Sequence, residues 1–217
     1  MRRCSKVLSS SIAPAGTKEG EKLEIRTAKK EDAQALLALY APYVEKTAIT
    51  FELTVPTVEE FAGRMMQTLK RYPFLIAEDH HEILGYAYTG PFKERAAYDW
   101  AVETSIYVKM GRTHGGIGKA LYAALEEASR RQHILNLNAC IAAPVVEDEY
   151  LTRNSIDFHA HLGYVLTGTF HQCGYKFGRW YDMVWMEKII GEHALPPADV
   201  IPFAPKWYET QESITHD

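Results

Sequence analysis

GRTHGGIGKALYAAL, residues 111–125, sets four glycines into its first eight positions and then turns to apolar residues at helical spacing. The amides of a helix's first turn lack intrahelical partners, and the aligned peptide dipoles add positive character there. Missing Cβ atoms let an anion approach those amides, so the stretch can seat a phosphate. It can equally be a plain glycine turn, and spacing alone leaves the two readings level. Two familiar nucleotide loops fail against it. A Walker loop needs glycine where Thr113 stands and Ser or Thr where Ala120 stands, and a dinucleotide loop needs glycine where Leu121 stands.

The chain around this stretch has an ordinary globular make-up. Its 217 residues are 47% hydrophobic and 24% charged, enough for one domain with a sizeable core. A net charge of −4 gives no general attraction to nucleic acid or to an anionic membrane. Scattered Lys and Arg supply no nucleic-acid footprint, so no such partner is expected. No apolar run approaches the roughly 20 residues of a membrane helix. Cys4, Cys140 and Cys173 are too few and too scattered for a disulfide framework or a metal site, which favours a reducing, cytoplasmic setting. Residues 1–22 read as a flexible leader without the apolar stretch of a secretory signal, with a transit peptide as the alternative. The folded domain is expected over 23–190. Residues 191–217 include HALPPADVIPFAPKWYE with its four prolines, and read as a tail lying extended on a surface.

Periodicity orders the domain. LEIRTA reads as a strand, and KKEDAQALLALYAPYVEK as a helix that Pro42 kinks or ends. ITFELTVPT reads as a loop, after which Thr57 caps a helix with Glu60 as its capping-box partner. FLIAED and EILGYAYTG form a hairpin about His80-His81, and AYDWAVETSIYVK is a longer strand. The helix after the glycines runs to about Gln132. LNLNACIA is a strand, NSIDFHAHLGY a short helix capped by Asn154 or Ser155 and closed by Gly163, and two final strands flank Gly174–Gly178. No internal repeat is visible. Hairpins mixed with crossovers predict an α/β (α+β) fold, a mixed sheet with helices on both faces.

The glycine loop is similar to the (Q/R)-x-x-G-x-(G/A) turn of the GNAT acetyltransferases, whose backbone amides hold the pyrophosphate of acetyl-CoA. Gly116-Ile117-Gly118 match, while Thr113 replaces the usual Gln or Arg and leaves Arg112 or His114 to supply charge. RYPFLIAEDHHEILGYAYTGPFKERAAYDWAVETSIYV, NSIDFHAHLGYVLTGTF and QCGYKFGRWYDMVWME resemble the phosphinothricin N-acetyltransferases. That GNAT branch acetylates the α-amine of small polar amino-acid analogues such as phosphinothricin and methionine sulfone. The resemblance spans Glu24 to Pro205. It implies the GNAT fold with a twisted, mostly antiparallel sheet, acetyl-CoA as cosubstrate, no metal, a small-molecule amine as acceptor, and a homodimer.

Acetyl transfer from a thioester to an amine needs a base for the ammonium, a donor to the thioester oxygen and a proton for the leaving thiolate. Glu103, a carboxylate within the apolar strand AVETSIYV, is the expected base. Burial would raise its pKa usefully, whereas a strand glutamate ordinarily just faces solvent. By resemblance, His159 is a second catalytic group, with a hydrogen-bonded core histidine as the alternative; Ala160 stands where the family has glutamate. His161 points elsewhere around the helix, so the two do not converge on a metal. The resemblance gives Ile106, Tyr107 and Val108 backbone bonds to the pantetheine arm. It gives His114, Gly115, Gly116, Ile117, Gly118 and Lys119 the pyrophosphate cradle, and Asn154 a side-chain contact to the pantetheine. Phe51, Phe92, Lys93, Arg95 and Tyr98 are expected to bind the substrate, the cations meeting its carboxylate. Charged loop residues are, however, usually only solvated. Tyr175 and Lys176 read as supporting or dimer contacts. Direct attack by the amine in a ternary complex is expected, since no cysteine lies in the loop or beside the candidate base to suggest an acyl-enzyme.

Overall fold

A computed structural model describes residues 23–112 and 115–208. The strands are β1 (Glu24–Thr27), β2 (Phe74–Asp79), β3 (Glu82–Pro91), β4 (Ala101–Val108), β5 (Asn136–Ala143), β6 (Val165–Lys176) and β7 (Arg179–Ile189). The helices are α1 (Ala33–Lys46), α2 (Val58–Leu69), α3 (Ile117–Arg131) and α4 (Asn154–His161). One sheet forms in the order β1-β2-β3-β4-β5-β7-β6, and only the β4–β5 pair is parallel. The expectation of a mixed, mostly antiparallel sheet with helices on both faces therefore holds.

Alternation along the strands separates two faces. The front face carries Tyr86, Tyr88, Glu103, Tyr107, Asn138, Cys140 and Trp185, matched by register. Over β2–β4 it is covered by α1 and α2, whose Leu36, Tyr40, Phe61 and Met65 pack on Phe74, Ile76 and Tyr86. The back face is covered by α3 and α4. Ile117, Leu121 and Leu125 recur at helical spacing on α3 and bury against Leu75, Ala77 and Ala87. Each such side chain contributes roughly 1.5–3 kcal/mol by leaving water.

The local signals mostly fix the elements they promised. The Thr57 hydroxyl accepts from the Glu60 amide (3.2 Å), and the Glu60 carboxylate accepts from the Thr57 amide (2.8 Å). His80 and His81 take positive φ in the β2–β3 turn, and Gly163 closes α4 at φ +89°. Two expectations change. α1 continues through Pro42, because the carbonyl left without a partner belongs to exposed Ala38, where water can satisfy it. α4 has no side-chain cap; Asn154 is its first helical residue and Arg153 precedes it. The described part of the tail after Ile190 carries no strand, ends in a short 3-10 helix at Pro205–Tyr208, and is anchored. Trp100 Nε1 donates to the Ala198 carbonyl (2.7 Å), Gln132 Nε2 donates to the Ile201 carbonyl (3.1 Å), and Phe203 is buried against Leu75 and Ala87. The leader at 1–22 lies outside the described residues, as do 209–217 of the tail.

Candidate active site

β4 and β5 are joined at only three positions: Ala101 with Asn136, Val102 with Leu137, and Glu103 with Asn138. Beyond Glu103 the two strands part, although β4 stays paired with β3 as far as Val108. A parallel pair opened in this way leaves backbone donors and acceptors facing a gap. A cavity of about 60 Å³ occupies it, lined by Ser105, Ile106, Tyr107, Tyr122, Cys140, Ser155 and His159 among others. Ile106 and Tyr107, predicted as pantetheine contacts, both line this gap. The Val108 carbonyl already accepts from the Tyr43 hydroxyl (2.5 Å).

At the outer end of the gap the chain enters α3 through Gly115 (φ +108°) and Gly116 (φ +78°). These angles suit only glycine without strain. Among the described residues no side chain caps α3, and no acidic residue lies in its first turn, so the first-turn amides of Ile117, Gly118 and Lys119 carry the positive end of the helix dipole, an arrangement that suits an anion. The side chain of Ile117 is buried, and that of Lys119 is exposed. Gly118 is needed for a different reason: a Cβ there would lie 3.0 Å from the Phe158 ring. His114 and Thr113 lie outside the described residues. Arg112 is within 3.8 Å of Glu82, which Lys109 also holds. The opened strands and the uncapped glycine entrance fit a long ligand with a diphosphate.

Glu103 lies at the point where the strands part. It is partly buried, and that burial raises its carboxyl pKa while nearby Lys93 opposes the rise. The Lys93 ammonium lies over the rings of Phe92 (4.6 Å) and Trp185 (5.1 Å). Phe92 meets Tyr98 and Trp185 edge-on, with centroids 5.9 and 5.4 Å apart. These residues line a cavity of about 820 Å³ on the front face, with Asn138 and Phe170 also at its wall. Of the predicted substrate residues, Phe92, Lys93 and Tyr98 thus line one cavity; Glu103 does not line it, but its register partner Asn138 does and the Lys93 charge reaches it. Arg95 is exposed and does not line the cavity. Neither does Phe51, whose ring lies so close over Gly174 that a Cβ there would be 2.4 Å away. Lys176 is buried and donates to the Thr50 carbonyl (2.7 Å), pinning the loop that bears Phe51.

His159 is in a different setting. It is buried, with Nδ1 2.6 Å from the Ser155 carbonyl and Nε2 2.7 Å from the Tyr122 hydroxyl. A carbonyl can only accept, so Nδ1 carries the proton and Nε2 accepts from Tyr122. Burial lowers the His159 pKa and raises that of Tyr122 well above its ordinary value. The Tyr122 hydroxyl also lies 3.2 Å from Thr104 Oγ1, which donates to the Asn138 carbonyl (3.1 Å). Asn154 is exposed at the start of the same helix.

Sequence reasoning missed Tyr122, Asn138, Trp185, Glu187 and Cys140. A signal existed for two of them: Asn136, Asn138 and Cys140 alternate with Leu137, Ala139 and Ile141, marking one polar strand face. Cys140 also corrects the statement that no cysteine neighbours the base. It is distant in sequence and its residue is exposed to the gap, yet desolvation of the thiol by the surrounding sheet, and then the charge of Glu103, push its pKa up to about 11. Among the described residues no group of three or more His, Cys, Asp or Glu is placed to hold a metal ion. No helix among them is long and apolar enough to cross a membrane.

A sheet opened beside a carboxylate, with an anion seat at the next helix, defines an acyl-CoA-dependent transferase. The GNAT acetyltransferase domain family matches residues 25–185, and the chain belongs to that family. The donor that its cradle and gap fit is acetyl-CoA. Among curated proteins it is 33% identical to the phosphinothricin N-acetyltransferase of Streptomyces viridochromogenes, over 85% of this chain and 96% of that one. It is 32% identical to the L-methionine sulfoximine/L-methionine sulfone acetyltransferase of Salmonella typhimurium, over 81% and 99% of the two chains. Among solved structures, a phosphinothricin acetyltransferase from Sinorhizobium meliloti in complex with acetyl-CoA aligns with TM-score 0.73 and 29% identity, covering 87% of this chain and 99% of that one.

Proposed function

We propose that the chain acetylates the α-amine of a small amino-acid-like acceptor, with Glu103 as general base and the amine attacking directly while both substrates are bound. The observation that carries this reading is the position of Glu103, a half-buried carboxylate where β4 and β5 separate. When bound, acetyl-CoA supplies an acetyl group activated as a thioester. The amides of residues 115–119, with His114, would hold its diphosphate, and Ile106, Tyr107, Val108 and Asn154 would hold its arm. Glu103 receives the ammonium proton, and its raised pKa brings it nearer the working pH. Phe92, Lys93 and Tyr98 hold the acceptor beside it, with Phe51 and Arg95 at the approaches. The Tyr122 hydroxyl lines the gap and donates its one proton to His159 Nε2, which fixes that ring beside it.

Cys140 supports direct attack. A thiol with its pKa near 11 is protonated at neutral pH and is a poor nucleophile for an acyl-enzyme route. The relatives' named acceptors, phosphinothricin and methionine sulfoximine or sulfone, support the acceptor class. The reading includes a cytoplasmic homodimer, supported by the exposed Val165, Leu166, Phe177 and Trp180 of the β6–β7 hairpin. The test is acetyl-CoA consumption with phosphinothricin, methionine sulfone and a random peptide as parallel acceptors. Unchanged turnover in Glu103→Gln would remove Glu103 from the mechanism.

A further inference from the structure

We propose that the acceptor is a free α-amino acid with a large apolar or aromatic side chain, its carboxylate at Lys93 and its side chain in the aromatic cavity beside Glu103. The proposal rests on the acetyltransferase reading above and narrows its acceptor.

Three features of the cavity converge on this. The first is size. A space of about 820 Å³ suits a drug-sized ligand, and a small polar analogue leaves most of it to water. The second is the walls. Phe92, Tyr98, Phe170 and Trp185 line it; Phe92 meets Tyr98 and Trp185 edge-on, and Phe170 adds a further aromatic face for a ligand ring. Residues 193–195 of the tail form another wall, tied down where His193 Nε2 lies 2.9 Å from Asn136 Oδ1.

The third feature is charge. Lys93 lines the cavity near Glu103 and makes no ion pair among the described residues, so its ammonium is available to a carboxylate. Glu187 also lines the cavity, paired in register with Asn138, which is itself paired with Glu103. Two strand spacings, about 10 Å, therefore separate Glu187 from Glu103. Its negative charge keeps the acceptor's carboxylate at the Lys93 end and directs the uncharged side chain inward. A peptide N-terminus carries no carboxylate at that point, which favours a free amino acid.

The test uses the full chain and initial rates of coenzyme A release from acetyl-CoA. Acceptors are L-tryptophan, L-phenylalanine, methionine sulfone, phosphinothricin, L-arginine and L-tryptophanamide. The expected result is kcat/KM for tryptophan or phenylalanine about tenfold or more above methionine sulfone, the scale of a filled apolar pocket. Tryptophanamide should be the poorer acceptor by a similar factor. Phe170→Ala should shrink the tryptophan-to-sulfone ratio about tenfold, and the ratio within one variant is insensitive to how much of it folds. Small analogues preferred over aromatic ones, or a ratio that Phe170→Ala leaves alone, would overturn the inference and leave the acetyltransferase reading standing. Preference for arginine would give side-chain selection to Glu187 and overturn it too. Equal rates on tryptophan and its amide would dismiss Lys93 in favour of a peptide N-terminus. Coenzyme A release with no acceptor at all would sink the proposed function along with it.

Discussion

Glu103 and His159 lie on either side of the same opened strand pair, and burial acts on them in opposite chemical directions. On the front face a carboxylate is half-buried beside a cavity, with a lysine near enough to moderate its pKa. On the back a histidine is enclosed by Tyr122, Phe158 and Tyr164, with both ring nitrogens engaged. The first group is half-buried and open enough to exchange its proton. The second is held neutral in one tautomer. Titratable side chains in a shared site divide into those that exchange protons and those that fix geometry, and access decides which is which.

The largest effect should follow from breaking the front side of that contrast. Glu103→Gln should lower kcat about 10²–10⁴-fold at neutral pH, the range of a lost general base. In the wild type, kcat/KM should fall on the acid side through a pKa above the ordinary carboxylate range, and the variant should lack that limb. Stability should move the other way. A carboxyl whose folded pKa is raised favours the fold below its unfolded pKa and loses that contribution as pH rises through the folded value. At neutral pH the glutamine variant should therefore denature at higher urea concentration than the wild type.

Breaking the back side should cost stability more than rate. Tyr122→Phe leaves His159 Nε2 without its donor in a buried setting, a loss of about 1–3 kcal/mol by urea denaturation. Loss of kcat should stay below about tenfold if the clamp is mainly structural, since the base is untouched. His159 also predicts a pH dependence. Its folded pKa is lowered, so its contribution is present above the unfolded value near 6.5 and is lost as pH falls through the folded one. His159→Gln should flatten that acid-side decline.

Much of this arrangement could be read from the chain. The capping box at Thr57 and Glu60, the His80-His81 turn and the α3 stripe are local patterns, fixed by neighbours within a few residues. The GNAT resemblance pointed to Glu103, Lys93 and the glycine entrance; Glu103 lies where β4 and β5 part, Lys93 in the front cavity, and the glycines at the start of α3. What could not be read depends on distant parts meeting. The insertion of β7 between β5 and β6 puts Trp185 against Cys140, and no periodicity announces that register. The burial of Phe203 depends on Gln132 catching the tail from another helix end. Phe51 was placed at the substrate by resemblance, but its loop is held to β6 by Lys176 and Gly174.

A smaller change should sharpen the front side. Lys93 is the charge opposing the burial of Glu103, so Lys93→Met should move the acid limb of kcat/KM to higher pH. With a carboxylate acceptor KM should rise as well, and the two effects separate by acceptor. Tryptophanamide should report the shifted limb without the rise in KM. The lysine is exposed, so salt should mute the shift in the wild type.

The smallest effect is expected at Cys140, and it tests why proximity to the base is not participation in the reaction. The thiol lines the gap and senses the charge of Glu103, which would suit a nucleophile if it were ionised. Its pKa near 11 keeps it protonated throughout the range in which Glu103 works. Cys140→Ser preserves shape and a hydroxyl's hydrogen bonds, so kcat should stay within about twofold if the amine attacks directly. The same thiol should react with iodoacetamide slowly at neutral pH and faster as pH rises, and Glu103→Gln should speed that reaction by removing the adjacent negative charge. A collapse of activity in the serine variant, with an acetylated cysteine found by mass spectrometry, would move the chemistry from the carboxylate to the thiol.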